Sequence, residues 1–555
     1  MAKMQTEFKY TITILNKMKN RSGVIILRIA AIIFSILFLL LLSLHLYLKK
    51  NSSEITKSFF DKLLNNKGAI YRIGHNSVDI DLIGGQIVLK NLEISFDDDK
   101  LQPSGLSRKI LMKASIPLIL IKGISASDLI IFHKINAERV LLKNGKLNFY
   151  TLNNKRTKKK NRKRGKSPVI SIGEIGIEDT DIEFFTDMSS TPKSGLRGIN
   201  LDSSNIKYDP GKSIRENFES KSPELQLNIK NSFIFFKKSR YKAESGSIRF
   251  ESAGSSISIK DFKYAPSTSK ILQNKIIQKG KFHHIKIPET NLKNIDLKEF
   301  TDNGRLKAGQ LYFKNPDIYF FRNRNIGGGI KKEKILPQQI FREANPKADL
   351  DLIRIKNGKI KYTEIAIGER KGESLIFSKL ETSFHEVSNF PEILRTGRES
   401  KILISTKIMG KSILKGKMMI PVNNRENRFS FTGSLLKTNP LVFNRFLRRN
   451  VKIRIDKGKL NYMTFNVQAD RDKASGKMRL SYNNFHVTLM RKKNSSRKSR
   501  FGTFLANTLT YKNNPSKRRK KLREGKILFE RKIKRSIFNY MWKCLLSGIK
   551  SSIRI

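Results

Sequence analysis

Apolar and polar residues alternate along this chain in short bursts, and one burst follows a fixed ruler. Residues 353–362 read IRIKNGKIKY, and residues 453–462 read IRIDKGKLNY. Counting from the first apolar position i, apolar residues stand at i, i+2, i+7 and i+9, with glycine at i+5. An Asn-Gly or Lys-Gly pair at the centre predicts a two-residue hairpin turn, because glycine adopts φ > 0 without steric cost. Directly paired residues point to one face, so the spacing gathers Ile353, Ile355, Ile360 and Tyr362. Arg354, Lys356, Lys359 and Lys361 are then turned to the other face.

The ruler fits repeatedly. It places Ile80, Leu82, Ile87 and Leu89 around Gly85, and Val140, Leu142, Leu147 and Phe149 around Gly145. It also selects Tyr241, Ala243, Ile248 and Phe250, and again Ile453, Ile455, Leu460 and Tyr462. Ile175, Ile177, Ile182 and Phe184 match with Thr180 in the glycine position, and Leu306, Gly309, Leu311 and Phe313 match in part. With 38% apolar residues and 34 glycines in 555, chance supplies roughly 0.7 full matches. Five occur, so the pattern predicts a mainly β protein built as a serial, elongated array of antiparallel hairpins, greasy on one face.

Before the array, residues 29–48 carry no Asp, Glu, Lys or Arg. As a helix, such a run spans a bilayer of about 30 Å, and no small-residue cleavage site follows it. The organisation expected is a tail (1–23), a transmembrane anchor (24–48), a short amphipathic helix (49–68), the β array (69–510), and a basic linker with an amphipathic helix (511–555). Five cations precede the anchor and five follow it within twenty residues, so the positive-inside rule sets no orientation. In the last segment Ile533, Ile537, Met541, Leu545 and Ile549 recur at helical spacing, with Trp542 beside them. Two placements fit that helix: lying in a membrane interface, or capping the last strand.

Charge narrows the partners. The formal net charge is +64, with basic runs at 155–166 and 517–523. No helix-turn-helix, zinc-finger spacing or aromatic RNA-binding signature accompanies them, and anionic lipid head groups account for the charge as well as nucleic acid does. One cysteine, Cys544, excludes an intrachain disulfide. The seven histidines include the adjacent pair His283 and His284 but form no H-E-x-x-H or other ligand spacing. IGGGIKK at 326–332 lacks phosphate-loop spacing and reads as a connection. No enzyme and no cofactor are expected.

The order of parts resembles the AsmA-like family of bacterial envelope proteins, with its TamB relatives and, more distantly, the eukaryotic bridge-like lipid transfer proteins. YRIGHNSVDIDLIGGQIVLKNLEISFD at 71–97 is similar to the family's first repeat after the anchor. FTGSLLKTNPLVFN at 431–444, the stretch at 453–462 and ASGKMRLSYNNFHVTL at 474–489 resemble its C-terminal region, at about 400–490 here. Residues 514–550 resemble the tail of the Bacteroidetes-type version. The resemblance implies a half-pipe of strands whose apolar concave face shields acyl chains in phospholipid transfer or outer-membrane assembly. It also implies a single-pass inner-membrane anchor with the bulk in the periplasm. About twenty strands at roughly 4.8 Å make a groove on the order of 100 Å. That leaves room for an outer-membrane protein partner or a second copy to complete the path. Two alternatives stand beside this: an envelope scaffold with a closed β core, and an anchored nucleic-acid binder using the basic runs.

Overall fold

In the computed structural model the described residues are 71–81, 85–96, 110–124, 135–151, 170–186, 189–208, 224–236, 239–267, 280–326, 333–396, 398–421, 426–490, 511–516 and 521–553. The anchor at 24–48 and the short helix at 49–68 lie outside them. No helix among the described residues is long and apolar enough to cross a membrane. The alternating stretches form strands, as their patterning requires, and the described chain is mainly β with few helices. The described residues cluster in two compact units: 71–236 with 242–261, and 239–241 with 262–553.

In the N-terminal unit, β1 (Tyr71–Gly74) and β2 (Ser77–Asp81) both pair antiparallel with β3 (Gln86–Phe96), which pairs with β4 (Ile110–Lys122). Next come β5 (Ile135–Lys143), β6 (Lys146–Thr151), β7 (Ile170–Thr186), β8 (Ser194–Tyr208) and β9 (Leu225–Phe236). β10 (Tyr241–Ser245), whose first residue belongs to the C-terminal unit, and β11 (Ile248–Glu251) follow, and β12 (Ser256–Pro266), which passes into the C-terminal unit after Asp261, pairs with β11.

This order corrects the hairpin expectation. β5 and β6 both run antiparallel to β4 and both parallel to β7, so they are two halves of one strand broken at Asn144-Gly145. β10 and β11 likewise lie along β9, broken at Gly246. Only Gly85 closes a true hairpin, and its register puts Ile80 opposite Ile87 rather than opposite Leu89. At three of the other sites one residue stands in the left-handed region within the strand: Asn144 at φ 55°, Asp179 at φ 45° and Asn357 at φ 53°. Such a residue breaks the pleat locally and restarts the alternation out of step. The odd step from i+2 to i+7 therefore keeps all four apolar residues together without a chain reversal. Val140, Leu142, Leu147 and Phe149 are all buried, while Asn144 and Lys146 are exposed.

The C-terminal unit repeats the plan. β13 (Lys281–Ile295) and the helix α1 (Leu297–Asn303) precede β14 (Leu306–Lys314) and β15 (Asp317–Asn323). These last two are again one broken strand, antiparallel to β13 and parallel to β16 (Ala348–Ile365). A helix, α2 (Pro337–Glu343), sits in the crossover that a parallel step demands. The glycine run at 326–332 lies in this same crossover; its residues 327–332 are outside the described set. The first parallel step, β6 to β7, is joined by the segment that holds the lysine run at 155–166. The sheet structure is therefore mixed, not serially antiparallel.

Antiparallel strands complete the unit: β17 (Glu373–Ser388), α3 (Pro391–Leu394), β18 (Glu399–Ile408), β19 (Ser412–Pro421) and β20 (Phe429–Leu435). After a 3-10 turn (Pro440–Phe443) come α4 (Asn444–Asn450), β21 (Ile453–Ala469), β22 (Lys473–Leu489), β23 (Glu524–Glu530) and α5 (Ile537–Ile553). The expected helical stripe begins at Ile533, but the helix starts at Ile537, after Ile527 and its neighbours pair as β23 along β22. Ile533 lies in the turn between strand and helix.

α5 packs on β22 and β23 with Ile537, Tyr540 and Cys544 buried. Two glycines allow the close approach. A Cβ on Gly525 would lie 2.4 Å from the Gly548 carbonyl, and one on Gly548 would lie 2.7 Å from Ile527. Together with Phe429, Phe431, Val467 and Met478 these residues form the main core of the unit.

Candidate functional site

The strand registers assemble the ruler residues into continuous apolar rungs. In the N-terminal unit one rung runs Leu89, Ile119, Leu142, Ile177, Leu201, Leu227, Phe250 and Ile257, each directly opposite the next. Four of the eight belong to the ruler. The other four sit on strands with plain alternation, which the ruler does not select. Ile87, Val140 and Ile175 fall on an adjacent rung through Ile121, and Leu147 and Ile182 pair directly. Phe149 stacks on Phe184 with ring centroids 5.6 Å apart. Ile248 pairs with both Ile229 and Ile259. Leu82 lies outside the described residues.

The C-terminal unit has its own rung: Leu292, Leu311, Ile353, Phe384, Ile402, Met418, Phe431 and Val467. Ile355 stands on the next rung between Phe313 and Thr382, and below the strand break Ile285, Ile318, Ile360, Phe377 and Ile408 align. Tyr362 pairs with Phe320 and Leu375. Its hydroxyl donates to Glu364, and burial and that carboxylate push the phenol well above its ordinary pKa. Arg354, Lys356 and Lys359 are exposed, as expected, while Lys361 is half-buried with its ammonium 5.4 Å from the Tyr319 ring.

Exposure varies along this rung. From Leu292 to Ile402 the residues are partly buried, Met418 is partly buried against the core beside α5, and Phe431 and Val467 are buried in that core. Leu336, in the crossover before α2, is also buried there. The apolar face is thus closed over its last strands, from Met418 onward, and only partly covered over the preceding ones. Nearby, burial lowers the Lys334 ammonium to about 8.

The second ten-letter stretch behaves differently from the first. Ile453 and Ile455 pack with Val487 and Leu447 in a small separate cluster beneath α4. Leu460 is partly buried against the main core, and Tyr462 is 41% exposed. The register along β22 shifts between Leu460 and Tyr462, which turns the tyrosine outward.

Polar groups on the apolar face are few. His283 is buried against Tyr241, with ring centroids 4.8 Å apart, and burial lowers its pKa to about 4. Its backbone N–H donates to the Tyr241 hydroxyl at 3.0 Å. Among the described residues no group of His, Cys, Asp and Glu is placed to hold a metal ion. What the face offers chemically is non-directional burial of an apolar guest.

No protein-family model, curated protein or solved structure matches this chain.

Proposed function

We propose that this protein carries acyl chains along an apolar β face, as a membrane-anchored component of phospholipid transfer or envelope assembly. The observation that carries the reading is the half-exposed rung from Leu292 to Met418. Six aligned apolar side chains, contributed by six adjacent strands, are only partly covered in a single unit, with Met418 at the edge of the closed core. A contiguous apolar surface of this kind marks a binding surface in a soluble domain. Each methylene moved from water onto it gains about 0.8 kcal/mol, and the rung from Leu292 to Met418 carries no polar side chain to select one chain over another. The uncharged run at 29–48 supplies the anchor, and the resemblance to AsmA-like proteins supplies an inner-membrane location with the bulk in the periplasm.

The covered end of the face gives a scaffold reading some support, since α5 and Leu336 already seal Phe431 and Val467. One experiment separates the two. A photo-crosslinking amino acid at Ile402 or Ile353 in the full chain captures phospholipid from cells, and one at Arg354 does not. Equal capture at all three positions, or none at Ile402 and Ile353, sinks the carrier reading.

A further inference from the structure

The apolar arc of α5 is wider than the sheet uses. At 100° per residue, Ile537, Tyr540, Cys544 and Gly548 lie on one flank, and all four are buried. Phe538, Trp542, Leu545 and Ile549 form a second stripe about 120° round the helix. On it Phe538 is 62% exposed and Trp542 41% exposed, while Leu545 and Ile549 are only half-covered. Large aromatic side chains one turn apart and open to solvent are not explained by packing within the unit.

Charge gives the second, independent observation. From Arg531 to Ile555 there is no Asp or Glu. Lys532, Lys534 and Arg535, in the turn leading into the helix, are exposed, and Lys550 is exposed near its end. None of these has a carboxylate partner among the described residues. Exposed aromatic side chains on a helix flanked by exposed cations in the turn before it and near its end, with no acidic residue in the segment, match the interface of an anionic bilayer: rings at the level of the head groups, cations on phosphates.

We infer that the Phe538–Trp542 flank of α5 docks on an anionic membrane surface, while its opposite flank seals the sheet. The inference rests on the carrier reading and deepens it, by putting a membrane contact at the closed end of the apolar face. It also separates two roles that the sequence assigned to one stripe: Ile537 serves the core, and Trp542 serves the membrane.

Trp542 is the one tryptophan in the chain, so its emission reports on this site alone. The full chain, held in phosphatidylcholine nanodiscs, is mixed with vesicles whose acyl chains carry bromine, a contact quencher. Brominated phosphatidylglycerol vesicles are expected to quench Trp542, and brominated phosphatidylcholine vesicles to leave it bright. The triple variant K532Q/K534Q/R535Q should need about 100-fold more anionic lipid for the same quenching. Phe538→Ser, at an exposed position, should weaken it without disturbing the fold. Equal quenching by both lipids, no quenching, or an unchanged triple variant overturns the inference. So does a blue shift that grows with protein concentration before vesicles are added, which would mean a second copy covers the flank. Lipid capture at Ile402 in the same preparation keeps the readings apart. Capture without quenching removes only the docking, and quenching without capture removes only the carrier role.

Discussion

The side-chain amide of Asn357 donates to Oδ1 of Asn315 at 2.8 Å, and both residues stand at φ 53° on neighbouring parallel strands. The same crossing occurs in the N-terminal unit. There the Asn144 N–H donates to Glu178 at 2.9 Å and the Asp181 N–H to Gly145 at 2.8 Å. In the C-terminal unit Asn315 donates to Lys356 at 2.9 Å and Lys359 to Pro316 at 2.7 Å. Across from each break the antiparallel neighbour carries a proline: Pro117 lies between Ser115, opposite Lys146, and Leu118, opposite Lys143, and Pro288 lies between Lys286, opposite Asp317, and Glu289, opposite Lys314. Each unit therefore breaks its strands in the same way, with the same backbone bonds.

Asparagine suits these positions because its short side chain tolerates the left-handed region, where a β-branched residue is strained. Asn315→Val and Asn357→Val should each destabilise the C-terminal unit by about 1–3 kcal/mol. Asn357→Gly should cost less, because glycine adopts this φ freely and only the exposed amide bond to Asn315 is lost. Chemical denaturation of the three variants checks the order. A valine variant as stable as the glycine one would mean the break does not need a left-handed residue.

Most of the β content was legible because alternation is local: a sequence such as IRIKNGKIKY shows which residues share a face. The partner strand was not legible. The turn signal in Asn357-Gly358 is the same whether the chain reverses or merely kinks, and only the pairing with β14, β15 and β17 decides. Phe384, Ile402 and Met418 escaped notice for the opposite reason, since plain alternation gives them no ruler to match. The twin stretches diverge because the environment of Tyr462 is set by β22, which its own ten residues do not encode.

A partly buried residue of the rung and a fully buried core residue beside it should respond differently to substitution. Ile402→Lys, on the accessible part, should abolish lipid capture at neighbouring positions with little loss of stability, since a lysine there can reach water. Met478→Ala, at a fully buried core position, should cost about 2–5 kcal/mol through the cavity it leaves. Crosslinking yield and unfolding midpoints read both effects. A strongly destabilised Ile402→Lys protein would show that this part of the face is packed rather than open.

His283 gives the C-terminal unit a pH dependence of definite sign. Its folded pKa is near 4 because burial disfavours the cation, against an ordinary value near 6.5. Between those values the unfolded chain binds the proton more readily, so stability is full above about pH 6.5 and falls as pH drops toward 4. The loss is on the order of 3 kcal/mol. His283→Phe keeps a ring against Tyr241 and removes the titration, so its midpoint should vary less between pH 7 and 5 than that of the parent. Parallel curves for the two proteins would show that other groups govern the acid response.

Cys544 offers a test of how firmly α5 holds the closed end. The thiol is fully buried and its pKa is pushed up to about 12, so almost no thiolate forms at pH 8. It is the sole cysteine, and any labelling by a thiol reagent reports this site without ambiguity. In the native chain, labelling at pH 8 should be slower than that of a free thiol by two orders of magnitude or more, and should reach the free rate in denaturant. Gly525→Leu removes the space into which the helix settles and should speed labelling while leaving β3 to β9 intact. If native Cys544 reacted as fast as a small-molecule thiol, the helix would be leaving the sheet continually. Phe431 and Val467 would then belong to the accessible face, and the rung would be open along its whole length.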